Sequence, residues 1–205
     1  MAPAGRNGTR PTVVEIVRRF ALLTAVLAGS VGIFASASSA GQRTVLNYGD
    51  SLAVGTQLYL GGYLSGWVVR NETEISLHAT DVPGALRSLG SSLPGVIVVS
   101  AGTNDDPGTV SRFARTVRET VAVAGRSRCV IWATIVRPPY AGVSYSGYNR
   151  ALRTIAKHHP TLHVLDWSAM AHTHPGWFGS DGVHPSMTGY RARAAATARL
   201  IRAAC

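Results

Sequence analysis

The segment that most constrains the fold is a short apolar run at Val96–Ser100, near the middle of the chain. Its sequence, Val-Ile-Val-Val-Ser, does not alternate between apolar and polar residues, which is typical of a β-strand buried on both faces. A later segment, Val110–Ala124, repeats its apolar residues at helical spacing and carries arginines on its other positions. A doubly buried strand followed by an amphipathic helix is the repeating unit of a parallel α/β sheet.

The same alternation of strand and helix extends from residue 44 to the C-terminus. The predicted strands are Thr44–Tyr48, a second strand within Trp67–Leu77 that we place at Glu74–Leu77, Val96–Ser100, Val130–Ile135 and Leu162–Leu165. The predicted helices are Leu52–Leu64, Pro83–Leu89, Val110–Ala124, Tyr145–His158 and Met187–Ala204, with a long loop over Asp166–Pro185 before the last helix. Five strands that alternate with helices predict an α/β protein with a parallel five-stranded sheet and right-handed crossovers.

The first 40 residues have the pattern of a targeting segment. Two arginines precede an apolar run, Phe20–Ala35, and small residues then continue to Ala40. A basic segment, a short apolar core and a small-x-small ending are the parts of a secretory signal. We therefore expect residues 1–40 to be a signal peptide or an uncleaved N-terminal anchor, and residues 41–205 to form one domain that is secreted or held in the cell envelope.

The chain is strongly basic, with 20 Lys and Arg residues against 10 Asp and Glu residues. After residue 40, sixteen basic residues stand against nine acidic ones, and Lys157 is the only lysine among the sixteen. An excess of this size favours an anionic neighbour, such as the surface of a cell envelope. The arginines are scattered and no aromatic stripe accompanies them, so we do not expect nucleic-acid binding.

The two cysteines, Cys129 and Cys205, are too few for a disulfide scaffold or for a four-cysteine zinc site. In an oxidising compartment an even count favours a bridge over two free thiols, and it would join the last helix to the start of a central strand. His172 and His174 lie two residues apart but have no third ligand of defined spacing nearby. We therefore expect no metal site.

Three polar motifs lie just beyond predicted strands or just before the last helix. Ser51 follows the first strand, Asn104 follows the third, and Asp181 and His184 precede the last helix. In such folds the carboxyl ends of the strands form one edge, where ligands bind. A serine nucleophile needs a nearby base, which is usually a histidine oriented by a carboxylate. An asparagine amide can donate to a developing oxyanion alongside the backbone N–H of the serine.

These motifs, Gly49-Asp50-Ser51, Gly102-Thr103-Asn104-Asp105 and Asp181-x-x-His184, resemble the SGNH/GDSL hydrolase superfamily, and the likeness spans residues 44–204. The resemblance implies a flavodoxin-like, three-layer α/β fold with sheet order 2-1-3-4-5. It also implies that Ser51 is the nucleophile, His184 the base, Asp181 its orienting partner and Asn104 an oxyanion donor. No metal or organic cofactor is implied.

The sequence differs from the superfamily pattern at the second motif. A glycine whose backbone N–H completes the oxyanion hole usually follows the second strand, but His78-Ala79-Thr80-Asp81 occupies that place here. Any residue except proline supplies a backbone N–H, so Ala79 and Thr80 are both candidates, and we predict Thr80. The extracellular domains of cell-wall O-acetyltransferases also lack this glycine, and the segment from Leu165 to Pro185 is similar to theirs.

Together these residues predict an exported serine esterase that cleaves carboxylic esters, short acyl or acetyl esters above all, through a Ser-His-Asp acyl-enzyme. Its substrate would be a small ester or an acylated glycan or lipid, and we expect it to act as a monomer. Three alternatives stay open. They are an O-acetyltransferase or deacetylase on cell-envelope glycans, a phospholipid-directed lipase, and an envelope-binding module without catalytic activity.

Overall fold

A five-stranded parallel β-sheet forms the middle layer of the structure, a computed structural model that describes residues 42–205. The strands are β1 (Arg43–Gly49), β2 (Trp67–Thr73), β3 (Val96–Ser100), β4 (Cys129–Ala133) and β5 (Leu162–Leu165). They pair in the order β2-β1-β3-β4-β5, all parallel, which confirms the predicted fold class. The predicted signal segment, residues 1–40, lies outside the described residues.

Helices cover both faces of the sheet. In chain order they are α1 (Ser51–Tyr63), α2 (Val82–Leu89), α3 (Val110–Ala124), α4 (Ser146–Ala156), α5 (Trp167–His172) and α6 (Met187–Ala204). α1 and α6 pack on one face, whereas α2, α3 and α4 pack on the other. Within the described range, none of these helices is long and apolar enough to cross a membrane.

The central strand, β3, is buried along its whole length, as its uninterrupted apolar sequence predicts. Ile97 and Val99 enter the core beneath α2, α3 and α4, and Val96 and Val98 enter the core beneath α1 and α6. Each large apolar side chain buried in this way contributes roughly 1.5–3 kcal/mol. Burial on two sides makes the sheet the middle layer. Because all five strands are parallel, their carboxyl ends lie at one edge.

The structure differs from the predicted elements in two places. The second strand lies within the predicted region Trp67–Leu77, but it is Trp67–Thr73 and not Glu74–Leu77. Ser76 adopts a left-handed backbone (φ 67°), which a strand does not continue through. This strand lies at the edge of the sheet and is only partly buried, so its polar residues hide the strand pattern. The region Asp166–Pro185, expected to be a loop, contains α5 and a short 3₁₀ turn.

The two cysteines form a disulfide, which confirms the predicted bridge. Cys129 is the first residue of β4, and Cys205 ends the chain directly after α6. The bridge spans a sequence separation of 76 residues, and closing a loop of this length removes conformational entropy from the unfolded chain. It fastens the last helix to the edge of the sheet at which the strands begin.

Candidate active site

Ser51 lies in the first turn of α1, directly beyond the end of β1. The close approach of β1 to β3 requires Gly49, because a Cβ there would lie 1.9 Å from the carbonyl oxygen of Ser100. The N–H of Asp50 donates to that same oxygen (2.8 Å). The Asp50 carboxylate accepts from the N–H of Leu52 (3.0 Å) and so caps α1. These contacts hold Ser51 at the carboxyl edge of the sheet.

Ser51, His184 and Asp181 form a continuous hydrogen-bonded chain. The Oγ of Ser51 lies 2.9 Å from Nε2 of His184, and Nδ1 of His184 lies 2.7 Å from Oδ2 of Asp181. The hydrogen bond from the His184 ring, followed by those from the backbone N–H groups of Val183 and His184, lowers the pKa of Asp181 to about 2. Asp181 is therefore ionised at neutral pH and only accepts, so Nδ1 of His184 donates to it. In the neutral imidazole, Nε2 is then free to accept from the serine hydroxyl.

A tight turn aims the histidine and the aspartate at one another. Gly182 has a φ of 64°, in the left-handed region that favours glycine. Oδ1 of Asp181 accepts from the N–H groups of Val183 (2.9 Å) and His184 (3.0 Å). The N–H of Gly179 donates to the carbonyl oxygen of His184 (2.9 Å) and closes the turn. The aspartate is thus fixed to the backbone of the residue that it orients.

Packing of α1 against α6 brings the serine and the histidine together. Gly55 of α1 lies against Tyr190 of α6, and a Cβ on Gly55 would come within 2.1 Å of the tyrosine ring. Ser51 begins α1, and His184 lies two residues before Ser186, the residue that caps α6. Because both residues adjoin the ends of closely packed helices, this contact sets the distance between them.

Asn104 lines the same cleft, but Thr80 does not. The Nδ2 of Asn104 donates one of its hydrogens to the carbonyl oxygen of Leu77 (3.2 Å), which orients the amide beside Ser51. Thr80 is exposed in the 3₁₀ turn Ala79–Asp81 and lines a neighbouring cavity. The structure therefore brings together four of the five predicted site residues, and the oxyanion role predicted for Thr80 gains no support from its position.

The shared cleft has a volume of about 420 Å³. Its walls combine the four site residues with the loop that follows β4, and the lining residues are Ser51, Asn104, Arg137, Pro138, Pro139, Tyr140, Asp181, Val183 and His184. Arg137 is held in the wall by a hydrogen bond from Nη1 to the carbonyl oxygen of Thr103 (2.6 Å). A cleft of this size and polarity accommodates a small polar ester.

Asp105 fastens the segment that replaces the usual glycine. Its Oδ2 accepts from the N–H of Ala79 (2.9 Å), and its Oδ1 lies 3.1 Å from Nδ1 of His78. The N–H of His78 donates to the carboxylate of Asp81 (3.0 Å). The N–H of Asp81 donates to the carbonyl oxygen of His78 (3.1 Å), so three backbone donors of this segment are engaged within the protein. The sequence shows Asp105 as part of a motif, but it carries no signal for this contact.

Two buried tyrosines support the loop that carries Asn104, and this role was not predicted. Tyr145 directly precedes α4, and Tyr148 lies within it. The Tyr145 hydroxyl lies 3.1 Å and 2.9 Å from the carbonyl oxygens of Thr103 and Asp105. The Tyr148 hydroxyl donates to the carbonyl oxygen of Asp106 (2.7 Å). Both tyrosines lie in the predicted helix Tyr145–His158, but the sequence carries no signal for their contacts with this loop.

A buried charged cluster lies beneath Ser51 and was also missed. Arg193 of α6 is only 3% exposed, and its Nη2 donates to Oγ of Ser100 (2.9 Å). The Ser100 hydroxyl in turn donates to Oδ1 of Asp50 (3.3 Å). Burial raises the pKa of Asp50, opposed by the Leu52 N–H and the Arg193 charge, and burial lowers the pKa of Arg193 to about 10. The cluster connects the last helix to the residue before the serine.

Several solved structures share the fold at low sequence identity. The C-terminal catalytic domain of Streptococcus pneumoniae peptidoglycan O-acetyltransferase A is 22% identical, with a TM-score of 0.63 over 80% of this chain and 92% of that chain. The psychrotrophic esterase EstA from Pseudoalteromonas sp. is 18% identical, with a TM-score of 0.61 over 78% and 97%. The Clostridium thermocellum family 3 carbohydrate esterase is 15% identical, with a TM-score of 0.63 over 78% and 96%. Identities this low show the fold alone.

Family membership is shown by the sequence itself. The model of the GDSL-like lipase/acylhydrolase family matches residues 37–192, which include every residue of the cleft. No curated protein is significantly similar to the chain in sequence. The match agrees with the motifs at Ser51, Asn104 and His184 and confirms the predicted superfamily. The chain therefore belongs to the GDSL-like lipase/acylhydrolase family, as a serine hydrolase that acts on esters.

Proposed function

We propose that the protein is an exported esterase that hydrolyses short acyl esters, acetyl esters in particular, through an acyl-enzyme on Ser51. The observation that carries the proposal is the chain from Ser51 to His184 (2.9 Å) and from His184 to Asp181 (2.7 Å), open to a cleft. The predicted signal segment and the Cys129–Cys205 bridge support export, because disulfides persist in oxidising compartments.

In the first half of the reaction, the Ser51 oxygen attacks the ester carbonyl while Nε2 of His184 takes the hydroxyl proton. The imidazolium that forms is stabilised by the ionised carboxylate of Asp181. The negative charge on the carbonyl oxygen is stabilised by the backbone N–H of Ser51, at the positive end of α1, and by the Asn104 amide. When the carbon–oxygen bond to the alcohol breaks, His184 returns the proton to the leaving alcohol.

In the second half, water replaces the alcohol. Nε2 of His184 takes a proton from the water, whose oxygen attacks the acyl carbon, and the bond to Ser51 breaks as the proton returns to the serine oxygen. The products are the free acid and the original enzyme, so protons and bonds balance over the cycle. The exposed position of His184, whose side chain is 48% accessible, supports entry of water to this step.

The dimensions of the cleft support a small acyl group. Its volume of about 420 Å³ lies at the lower end of ordinary ligand pockets. Pro138 and Pro139 stiffen one wall, and Arg137 and Tyr140 make that wall polar. A long alkyl chain would gain little from such surroundings, whereas an acetyl group needs only a short apolar contact.

Transfer of the acyl group to a glycan hydroxyl is the second candidate. It is supported by the similarity of the fold to the peptidoglycan O-acetyltransferase A domain and by the sequence likeness over Leu165–Pro185. The first half of the reaction would be unchanged, and a sugar hydroxyl would replace water as the group that His184 deprotonates.

The test uses residues 41–205 with Ser51 intact and with Ser51→Ala. Hydrolysis of p-nitrophenyl esters from acetate to palmitate is followed with and without a glycan acceptor. The proposal predicts fastest turnover of acetate, loss of turnover in the Ser51→Ala variant, and labelling of Ser51 by a phosphonate probe. A maximum at palmitate would favour a lipase, and acceptor-dependent acylated glycan would favour the transferase. An absence of both turnover and labelling would refute a catalytic role for Ser51.

Replacing Asn104 with alanine is expected to lower kcat by roughly 10²–10³-fold with little change in KM, because an oxyanion donor acts mainly on the transition state. Steady-state kinetics on p-nitrophenyl acetate measures kcat and KM separately. Asn71→Ala is the matched control, since Asn71 lies on the edge strand β2, outside the cleft. A decrease in kcat of only two- or threefold for Asn104→Ala would remove Asn104 from the oxyanion hole.

A further inference from the structure

The acidic residues of the domain are concentrated at the carboxyl edge of the sheet, where Ser51 lies. Eight of the nine that follow residue 40 lie at the ends of strands, in the loops beyond them, or in the turn that carries His184. These eight are Asp50, Glu72, Glu74, Asp81, Asp105, Asp106, Asp166 and Asp181. The ninth, Glu119, lies within α3 and pairs with Arg87.

The opposite surface, at which the five strands begin, is basic. We call it the amino-end face and define it by Arg43, Arg126, Arg128, Lys157 and Arg202. These residues begin β1, precede β4, end α4 and lie in the last turn of α6. All of them are exposed except Arg128, which is partly buried.

The partners of these basic residues leave their charge uncompensated. Arg128 donates to the carbonyl oxygens of Leu93 and Ala124, and Arg202 donates to the carbonyl oxygen of Tyr63. Arg43 lies over the ring of Trp67, 5.6 Å from its centroid. Among residues 42–205, none of the five lies within 4.0 Å of an Asp or Glu carboxylate. Carbonyl and aromatic partners orient a guanidinium without neutralising it.

We propose that the amino-end face docks on a bilayer that exposes anionic phospholipid headgroups. A groove of about 730 Å³ opens there between Arg43, Trp67 and Arg202, and two guanidinium groups flanking a groove suit a headgroup phosphate. Tryptophan is suited to the boundary between water and lipid.

This orientation restricts which esters can reach Ser51, an inference that rests on the proposed function. The strands between the two edges have up to seven residues, so the amino-end face and Ser51 are separated by roughly 20 Å or more. A domain docked in this way turns its cleft away from the bilayer that holds it. Esters of glycans or soluble molecules outside that bilayer can then reach Ser51, whereas the ester bonds of the docked phospholipids cannot.

The test measures binding of residues 41–205, which contain the whole sheet, both cores and the disulfide, to vesicles. Vesicles of phosphatidylcholine with 30% phosphatidylglycerol, about one anionic lipid in three, are compared with pure phosphatidylcholine. Each basic residue near such a surface contributes about fivefold to partitioning. The triple variant Arg43→Gln/Arg126→Gln/Arg202→Gln should therefore bind about 100-fold more weakly. Binding of the unsubstituted protein should weaken as salt is raised.

A matched control removes three exposed arginines elsewhere, with the same change in net charge: Arg112→Gln/Arg115→Gln/Arg150→Gln. It should retain most of the binding. Equal losses in the two triple variants, or equal binding to both vesicle types, would overturn the proposal. Preferential binding to duplex DNA over the anionic vesicles would also overturn it. Hydrolysis of p-nitrophenyl acetate is measured in parallel and should be unchanged in the amino-end variant, so docking and esterase activity succeed or fail separately.

Discussion

Replacing His184 with alanine is expected to lower kcat for ester hydrolysis by on the order of 10⁵-fold, with little change in KM. The substitution removes the only group within hydrogen-bonding distance of the Ser51 hydroxyl, at 2.9 Å, among the side chains of the described residues. Without a base, the serine stays protonated and is a weak nucleophile. Stopped assays with p-nitrophenyl acetate over long incubations measure so large a decrease.

Asp181→Asn should cost less, roughly 10³–10⁴-fold, because the amide keeps the size of the side chain but no longer fixes the proton on Nδ1 of His184. Residues that act as one unit are not additive, so the double variant should be no slower than His184→Ala alone. His158→Ala, at the end of α4 and away from the cleft, is the control histidine. Retention of a tenth of the activity by His184→Ala would show that another group is the base.

The fold was predictable because its strongest signals are local. The run Val96–Ser100 is apolar on both faces, and the amphipathic pattern of Val110–Ala124 shows which side of that helix meets the sheet. The edge strand Trp67–Thr73 carried a weaker signal, since it is buried only in part and tolerates Arg70, Asn71 and Glu72. α5 was missed because its six residues, Trp167–His172, are too few to show a helical period.

The candidate site likewise contains residues that the sequence predicts and contacts that it does not. Ser51, Asn104 and His184 follow from their positions at strand ends and before the last helix, which the order of the elements determines. The contact of Asp105 with Ala79 depends on two loops far apart in sequence, and no periodicity reports it. Arg193 is one of several arginines in α6, and only its rotational position on the helix places it in the core. Such contacts become visible only when the elements are packed.

Replacing Arg193 with methionine is expected to lower the free energy of unfolding by about 3–5 kcal/mol, because it leaves the Asp50 carboxylate buried without its positive neighbour. For a domain of this size such a loss lowers Tm by roughly 10 °C. Urea unfolding followed by circular dichroism measures the change. Arg191→Met is the matched control, since Arg191 is exposed two residues away on the same helix and should change stability by less than about 0.5 kcal/mol.

The charge explanation is separated from simple loss of packing by a second substitution, Asp50→Asn. Asparagine caps a helix about as well as aspartate, so α1 keeps its cap while the buried negative charge is removed. If Arg193 is retained chiefly to offset that charge, the double variant should be more stable than the sum of the single losses predicts, by more than about 1 kcal/mol. Additive losses would instead mean that Arg193 acts through its volume and its contact with Trp167. A favourable coupling would make the cluster a support for the nucleophile, since Asp50 directly precedes Ser51.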